Sequence, residues 1–333
     1  MATIKDVAEH ADVSVATVSA VINQDSEVNV SEELTRRVEK AVKELNYRPN
    51  RIARALSRKK TNTIAYIIPS IGNQFFAQMT ELIEDLACEK DYGVYICNTG
   101  SGKDRVKLYM NNLIENKVDG VIVTLTWLIR EYNFIETLQK ENIPVVGLAG
   151  ARVMKDIDTV IIDDEAGGRF AARYLVNKGY ERIGFIGVKE SRTTKKRLAG
   201  IKKYLTDNRN VSYEEDLVEL GSDFSRSGGY NLAEKLLTRS PDIEAIIVYN
   251  DVMASGVLDK FAEAEIAVPE DIAVMGFDDS VAQFTRPKLT TMALAKEEMT
   301  SLAIKMLFDR IEGKKSSPRH KRVLPVLIER ETT

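Results

Sequence analysis

Six basic side chains and no acidic ones lie between residues 46 and 60, and their chemistry is that of phosphate binding. They are Arg48, Arg51, Arg54, Arg58, Lys59 and Lys60. The whole chain has a net charge of −3, but residues 1–60 hold 11 basic and 9 acidic residues, so the remainder carries −5. A local positive field of this kind predicts contact between one end of the chain and a polyanion. The alternative is a solvated charge run, which the residues preceding the segment disfavour.

Two short helical patterns with a tight connection come before the basic segment. Thr3 and Asp6 have the spacing of a capping box, and the apolar positions that follow share one helical face: Ile4, Val7, Ala8 and Ala11. A turn at Asp12 and Val13 leads to Ser14, whose hydroxyl can cap a second helix through Ile22. Two helices joined so closely are typical of the helix-turn-helix, which places one helix in the DNA major groove.

A third helix and a short basic helix complete the N-terminal part. Ser31 can cap the third helix, which turns four apolar side chains inward: Leu34, Val38, Val42 and Leu45. After Pro49, residues 51–56 can form a helix too short to be stable alone in water. We therefore expect this segment to fold only against DNA or a partner, as a hinge.

From Thr63 onward, apolar strand-like runs alternate with amphipathic helices. The predicted strands are 64–69, 92–98, 120–124, 144–148, 160–163, 183–187, 243–249, 272–277 and 289–294. This alternation predicts parallel sheets covered by helices. About 270 residues exceed one such core, so we expect two α/β lobes with a ligand site between them, at the carboxyl ends of the strands.

Composition bounds the class of protein. Hydrophobic residues make up 44% and charged residues 29% of the chain, which is typical of a soluble globular protein. Cys88 and Cys97 are interpreted as small buried hydrophobes in a reducing compartment. No leader-like segment and no apolar run of about 18 residues is present, so we expect a cytoplasmic protein that is not bound to a membrane.

Short phrases in a fixed order along the chain carry a resemblance to a known family. They include Thr3-Ile4-Lys5-Asp6-Val7-Ala8, Leu45-Asn46-Tyr47-Arg48-Pro49-Asn50, Val118-Asp119-Gly120, Arg197-Leu198-Ala199-Gly200, Asn250-Asp251, Gly276-Phe277-Asp278-Asp279 and Leu327-Ile328-Glu329-Arg330. Their order, from residue 2 to about 331, is more specific than any single phrase. The sequence resembles the LacI/GalR family of bacterial transcription regulators.

This resemblance implies an all-α helix-turn-helix head and an α/β core of two parallel-sheet lobes, similar to periplasmic binding proteins. The head would span residues 1–47, a hinge helix and linker 48–61, and an effector-binding and dimerisation core 62–333. The N-lobe would take about 62–161 and 291–321, and the C-lobe about 162–290 and 322–331. The family also implies a homodimer on double-stranded palindromic operator DNA. Because no leucine heptads follow the core, we expect a dimer rather than a tetramer built by a C-terminal coiled coil.

Carried over by position, the family's DNA contacts fall on the second helix and the hinge. Base edges would meet Val15, Ala16 and Ala20, and the DNA backbone would meet Thr17, Ser19, Asn23, Asn50, Arg51 and Arg54. Many family members have a large polar residue where this chain has Ala20, which offers only apolar contact, for example to a thymine methyl. Leu56, with Ala53 beside it, would enter the minor groove and kink the DNA. The alternatives are that the small residues pack within the head and that Leu56 packs against a helix.

The family's effector cleft maps onto eight residues of the core: Phe75, Phe76, Thr124, Arg192, Arg197, Phe224, Asn250 and Asp278. A guanidinium, a carboxylate and aromatic faces suit a small polyhydroxylated ligand such as a sugar. One departure is Ala149, where sugar- and purine-responsive relatives often place an aspartate. The alternatives are that Phe76 belongs to the core and that Arg197 and Asp278 form an inter-lobe ion pair.

We therefore expect a dimeric transcription repressor controlled by a small-molecule effector, with no cofactor and no metal. A catabolite-type regulator controlled mainly by a protein partner is the alternative. A solute-binding protein is disfavoured by the DNA-binding head and the missing leader. An enzyme is disfavoured because His10 and His320, the only histidines, lie in the head and in a basic tail segment. Asp163-Asp164 and Asp278-Asp279 are interpreted as strand ends and helix caps rather than metal ligands.

Overall fold

The computed structural model describes residues 2–23, 29–47, 60–100, 102–124, 129, 133–150, 153–208, 211, 213–314 and 316–333. The chain forms two compact units, 1–62 and 63–333, each described here by itself. The hinge residues predicted to contact DNA lie outside the described residues: Asn50, Arg51, Ala53, Arg54 and Leu56.

Three helices build the first unit, the head: α1 (Ile4–Ala11), α2 (Val15–Asn23) and α3 (Glu32–Glu44). The capping box is confirmed, because the Thr3 amide donates to Asp6 Oδ2 at 2.7 Å and the Asp6 amide donates to Thr3 Oγ1 at 3.4 Å. Asp12 ends α1 in the left-handed conformation, and Ser14 Oγ accepts from the Thr17 amide at 3.0 Å to start α2.

The α1–α2 turn is held in place by α3. Arg37 donates to the carbonyl oxygens of Ala11 at 2.6 Å and Asp12 at 3.0 Å. Val7, Val18 and Val38, one from each helix, are fully buried at the centre. A helix-turn-helix with its connection fixed by a third helix is therefore confirmed.

The second unit, the core, contains two six-stranded sheets. Its strands are β1 (Thr63–Ile68), β2 (Gly93–Asn98), β3 (Gly120–Thr124), β4 (Val145–Gly150), β5 (Asp158–Ile162), β6 (Ile183–Val188), β7 (Val218–Gly221), β8 (Ala245–Val248), β9 (Ala273–Asp278), β10 (Thr290–Ala293), β11 (His320–Val323) and β12 (Val326–Ile328). Its helices of seven residues or more are α4 (Gln74–Cys88), α5 (Lys103–Glu115), α6 (Phe134–Lys140), α7 (Asp164–Asn177), α8 (Arg192–Asp207), α9 (Arg226–Arg239), α10 (Asp251–Glu263) and α11 (Lys296–Ile311).

Each sheet belongs to one lobe. The N-lobe sheet has the order β11-β5-β4-β3-β1-β2 and is parallel throughout. The C-lobe sheet has the order β12-β10-β9-β8-β6-β7, with β12 alone antiparallel among its strands in the described part of the chain. Both lobes bury apolar side chains on each face of the sheet, as parallel sheets require.

All nine predicted strands are present, and three short strands were not predicted: β7, β11 and β12. The lobe boundaries shift by a few residues from those expected. β10 still belongs to the C-lobe sheet, so the chain crosses at Leu294 and Ala295 rather than at 290–291. β11 belongs to the N-lobe sheet up to Val323, so the last crossing also comes later than expected. Cys97 is buried, but Cys88 is exposed, which corrects the expectation that both are buried.

Two helix pairs of the C-lobe touch backbone to backbone through glycines. A Cβ on Gly168 of α7 would lie 2.0 Å from the carbonyl oxygen of Arg197, and one on Gly200 of α8 would lie 2.0 Å from that of Glu165. Gly229 of α9 and Gly256 of α10 show the same reciprocal closeness, at 2.0 and 1.8 Å. Any larger residue would push these helices apart.

We predict that Gly200→Ala destabilises the core by about 1–3 kcal/mol, because the added methyl meets rigid backbone rather than a flexible side chain. Urea unfolding of the purified chain measures this. Gly93→Ala is the matched control, since nothing lies within 4 Å of a Cβ there. Equal unfolding midpoints for the two variants would contradict the close helix packing.

Candidate functional site

The exposed start of α2 is the part of the head that can meet DNA bases. Val15 is 41% exposed and Ala16 is also exposed, so both can make the apolar contacts expected of them. Thr17 and Ser19 are half-buried, and the Asn23 side chain lies outside the described part of the structure. Ala20, the third expected base contact, is only 7% exposed, so it presents less surface than Val15.

The C-lobe half of the candidate effector site is built around Tyr249, which directly follows β8. The ring of Phe224, which is 46% exposed, lies 5.1 Å from the Tyr249 ring between centroids. The guanidinium carbon of Arg197 lies 5.2 Å from the centroid of the Tyr249 ring and 4.0 Å from that of the Phe277 ring. The rings of Phe224, which is exposed, and Tyr249, which is half-buried, form an apolar surface of the kind that packs against a sugar or base ring.

Arg197 is held by a buried ion pair with Asp164, the first residue of α7. Its Nε and Nη2 lie 2.9 Å from Asp164 Oδ1, and its Nη1 donates to the Tyr249 carbonyl at 2.5 Å. Arg197 is 4% and Asp164 2% exposed. Asp278, at the end of β9, belongs to the C-lobe as Arg197 does, and the ion-pair partner of Arg197 is Asp164. The alternative of an inter-lobe ion pair between Arg197 and Asp278 is therefore wrong.

Asp278 ends β9 and begins a tight turn through Asp279 to Ser280. Its Oδ1 accepts from the Ser280 amide at 3.0 Å, and the same amide donates to Asp251 Oδ2, also at 3.0 Å. Burial raises the pKa of Asp278 to about 6, against the opposing effects of the Ser280 hydrogen bond and the Lys296 charge. Burial, followed by the Asp278 charge, also raises the pKa of Asp251. Two carboxyl groups thus share one buried amide at the end of the sheet.

The N-lobe half lies where β1, β2 and β3 end. Ile68 pairs with Asn98, and Thr124 follows Val123, which pairs with Ile67, so these residues lie at the same edge of the sheet. Asn98 Oδ1 is buried and has no hydrogen-bond partner within the described structure, whereas the buried Thr124 hydroxyl lies beside the hydroxyl of Tyr66. Buried polar atoms are normally paired, so the unpaired Asn98 oxygen at a strand end indicates a ligand or water position.

Phe75 and Phe76 begin α4 beside these strand ends. Asn73 Oδ1 accepts from the Phe75 amide at 3.0 Å and starts the helix. The two rings lie edge to face, with centroids 5.2 Å apart. Both contact the apolar core of the N-lobe, as the core alternative for Phe76 expected, although Phe76 is only half-buried.

Comparison with known proteins assigns this architecture to a family. Residues 3–50 match the family model "Bacterial regulatory proteins, lacI family", and residues 172–333 match the "Periplasmic binding protein-like domain". The ribose operon repressor of Escherichia coli (strain K12) is 35% identical over 333 residues, which cover 99% of each chain. The chain belongs to the LacI family.

Solved structures of LacI-family regulators have the same fold. The Lac repressor dimer bound to operator and the anti-inducer ONPF superposes with a TM-score of 0.86 at 29% identity, covering 99% of this chain and 98% of that one. A LacI-family regulator from Enterococcus faecium with bound ribose gives a TM-score of 0.73 at 27% identity, covering 81% of this chain and 98% of that one. The curated relatives of this chain are transcriptional repressors and not enzymes.

Two of the residues expected in the cleft lie at the starts of helices. Asn250 is buried and caps α10, because its Oδ1 accepts from the Met253 amide at 2.9 Å. Arg192 is exposed at the first position of α8. The eight residues expected in the effector cleft therefore lie partly at the strand ends of the two lobes and partly at the starts of helices.

Sequence reasoning missed Tyr249 and Asn98. Asn98 ends β2 and Tyr249 directly follows β8, both correctly predicted strands, and each carries a polar group at the carboxyl edge of its sheet. The rule that ligands bind at this edge could have found both.

Ala149, the position of the expected departure, has a left-handed backbone with φ of 51°. It lies at an irregularity in the β4–β5 ladder, between Leu148 and Gly150. Its half-buried methyl packs against the N-lobe core and offers no hydrogen bond.

A separate groove of about 430 Å³ lies on the C-lobe between α7 and β12. It is lined mainly by apolar side chains, including Phe170, Tyr174, Leu324, Pro325 and Val326. None of the eight expected effector residues lines it.

No helix within the described ranges is long and apolar enough to cross a membrane.

We predict that Arg197→Met destabilises the core by about 3–5 kcal/mol, because it leaves the Asp164 carboxylate buried without its partner. The double variant Arg197→Met/Asp164→Leu should recover most of this loss. Urea unfolding of both variants and of each single substitution provides the double-mutant cycle.

Lys195→Met is the matched control, since Lys195 is on the same helix in a pair with Glu190 that is exposed on both sides. It should change stability by less than about 1 kcal/mol. A double variant as unstable as Arg197→Met alone would show that the ion pair is not what Arg197 supports.

Proposed function

We propose that this protein is a homodimeric transcription repressor that binds a palindromic operator in the cytoplasm and is controlled by a pentose, such as ribose, bound between the two lobes. The observation that carries the effector assignment is the unpaired buried oxygen Oδ1 of Asn98, at the same edge of the N-lobe sheet as the Thr124 hydroxyl. A ligand rich in hydroxyl groups would satisfy this oxygen, and its apolar ring face would stack on the aromatic side chains of the candidate site.

The relatives support the choice of ribose among such ligands. The repressor of 35% identity is named for the ribose operon, and one solved neighbour holds ribose. The Asp278 carboxylate and the Phe224 ring supply the remaining contacts that a sugar needs. The methyl of Ala149 supplies none, so we infer that ligand hydroxyls are held mainly from the strand ends and from Asp278.

DNA recognition would use the exposed start of α2. Val15 and Ala16 offer apolar surface, so direct reading of bases is limited to contacts such as thymine methyl groups. The hinge segment, outside the described residues, would supply the phosphate contacts of Arg51 and Arg54 and the minor-groove wedge of Leu56. Sequence preference would then depend strongly on the ease of bending the operator.

Control by the effector would follow from linkage. A ligand changes operator affinity only to the extent that it binds the two lobe arrangements unequally, and DNA changes ligand affinity by the same factor. Whether the pentose releases or strengthens DNA binding is a matter of which arrangement it favours.

We predict that the full chain selects two-fold symmetric sites from a pool of random-sequence duplex DNA, and that D-ribose changes its affinity for the selected site. Sequencing of bound DNA and a binding titration with and without D-ribose measure both effects. Binding should weaken steeply as salt rises, because counterions are released from the phosphates. Symmetric sites whose affinity no sugar alters would contradict pentose control and favour a protein partner.

We predict that Thr124→Val weakens D-ribose binding about 2- to 13-fold, the value of one hydrogen bond. The substitution keeps the side-chain shape and removes a hydroxyl that lies beside the Tyr66 hydroxyl, so any loss of stability should not exceed the value of that one contact. Calorimetric titration measures the affinity, and thermal unfolding measures the stability.

Thr80→Val is the control, because Thr80 Oγ1 already donates to the Phe76 carbonyl at 2.8 Å. It should not change ribose contacts made at the ends of β2 and β3. Unchanged ribose affinity in Thr124→Val would remove this residue from the site.

A further inference from the structure

The turn formed by residues 278–280 is held by side chains from both lobes. Lys296, at the start of the N-lobe helix α11, donates from Nζ to the carbonyl oxygens of Asp278 and Asp279, each at 3.0 Å. Gln78, on the N-lobe helix α4, donates from Nε2 to the carbonyl oxygen of Ser280 at 3.2 Å. Three successive C-lobe carbonyls are therefore bound by two N-lobe side chains.

Lys296 is unusual for a lysine because it is only 9% exposed. No carboxylate oxygen lies within 4.0 Å of its Nζ among the described residues. Burying an ammonium group is unfavourable unless its donors are used. Here the backbone carbonyls of the turn use them, so this charge is stable only while the two lobes keep their present contact.

The C-lobe side of the turn is fixed independently. The Ser280 amide donates to Asp251, which also accepts from Thr291 Oγ1 at 2.7 Å. Arg330 donates to Asp279 Oδ1 at 2.7 Å. Asp278 and Asp279 both have positive φ, at 99° and 52°, a conformation that needs such support in residues other than glycine. The turn therefore moves as part of the C-lobe.

We propose that Lys296 and Gln78 form a latch that holds the N-lobe on the 278–280 turn, and that Lys296 is a positioning residue for Asp278. The contacts of the latch do not depend on the identity of the effector. Its link to the effector rests on the proposed function, in which Asp278 binds the ligand.

The geometry separates the two tasks of Asp278. Its carbonyl oxygen binds the latch, whereas its carboxylate accepts from the Ser280 amide through Oδ1 and is the group that would contact a ligand hydroxyl. A ligand held by this carboxylate would thus bind to the same turn that the N-lobe grips. Loss of the latch would leave a smaller fraction of molecules in the binding-competent arrangement and raise the apparent dissociation constant by that factor.

The test is hydrogen–deuterium exchange of the full chain without ligand, comparing the parent protein with Lys296→Met. We expect exchange in the peptides that cover residues 278–284 and the first turn of α4 to increase at least about tenfold. Exchange in the distant strands β7 and β2 should stay unchanged. Lys305→Met is the matched control, because Lys305 is exposed on the same helix and its loss removes the same charge.

A second readout is calorimetric titration with D-ribose. We expect Lys296→Met to bind about tenfold more weakly than the parent, and saturating D-ribose to restore slow exchange in the turn. If neither protein binds D-ribose, the effector assignment fails while the exchange result still decides the latch.

Two results would overturn the latch. Unchanged exchange in Lys296→Met would show that the Lys296 contacts do not hold the turn. Exchange that rises equally throughout the core would show a general loss of stability instead. Should Lys296→Met not fold, Gln78→Leu carries the same test. This substitution removes one of the three hydrogen bonds of the latch and should raise exchange in the same peptides by a smaller factor.

Discussion

The buried guanidinium of Arg197 is the interaction on which the C-lobe half of the cleft depends. It joins the start of α7, through Asp164, to the end of β8, through the Tyr249 carbonyl, and lies against Phe277 at the end of β9. Three elements that carry candidate ligand contacts are thereby fixed to one charge. The close approach of α7 and α8 through Gly168 and Gly200 is what brings Arg197 to Asp164. The site is therefore stable only if the helices above it stay in backbone contact.

Much of the fold could be predicted because its physical determinants are local. The capping box at Thr3 and the cap at Ser14 define the head, and eight buried apolar runs define the central strands. The strands that were missed are edge strands with exposed or polar residues, such as β11, which contains His320, Lys321 and Arg322. Their position is decided by pairing with a neighbour, which hydropathy does not report.

The candidate site was predicted less well, since roles depend on partners that lie far away in sequence. Arg197 was placed correctly in the C-lobe, but its partner is Asp164 and not Asp278. Ala20 was assigned to the DNA surface by position, but the exposed fraction of its side chain, 7%, could be known only from the folded chain. Lys296 gave no indication at all, because a lysine at a helix start is ordinarily solvated. Only the folded chain shows that it reaches across to two carbonyl groups.

The left-handed backbone at Ala149 has an evolutionary consequence. Alanine is poorly suited to a positive φ, whereas aspartate and asparagine tolerate it better because their side chains can hydrogen-bond locally. Replacing Ala149 by either would relieve strain in the β4–β5 ladder. Because the side chain packs against the apolar N-lobe core, asparagine suits the position better than aspartate, whose charge would be costly to bury. The ladder irregularity is thus a point at which descendants of this protein can gain stability by a single substitution.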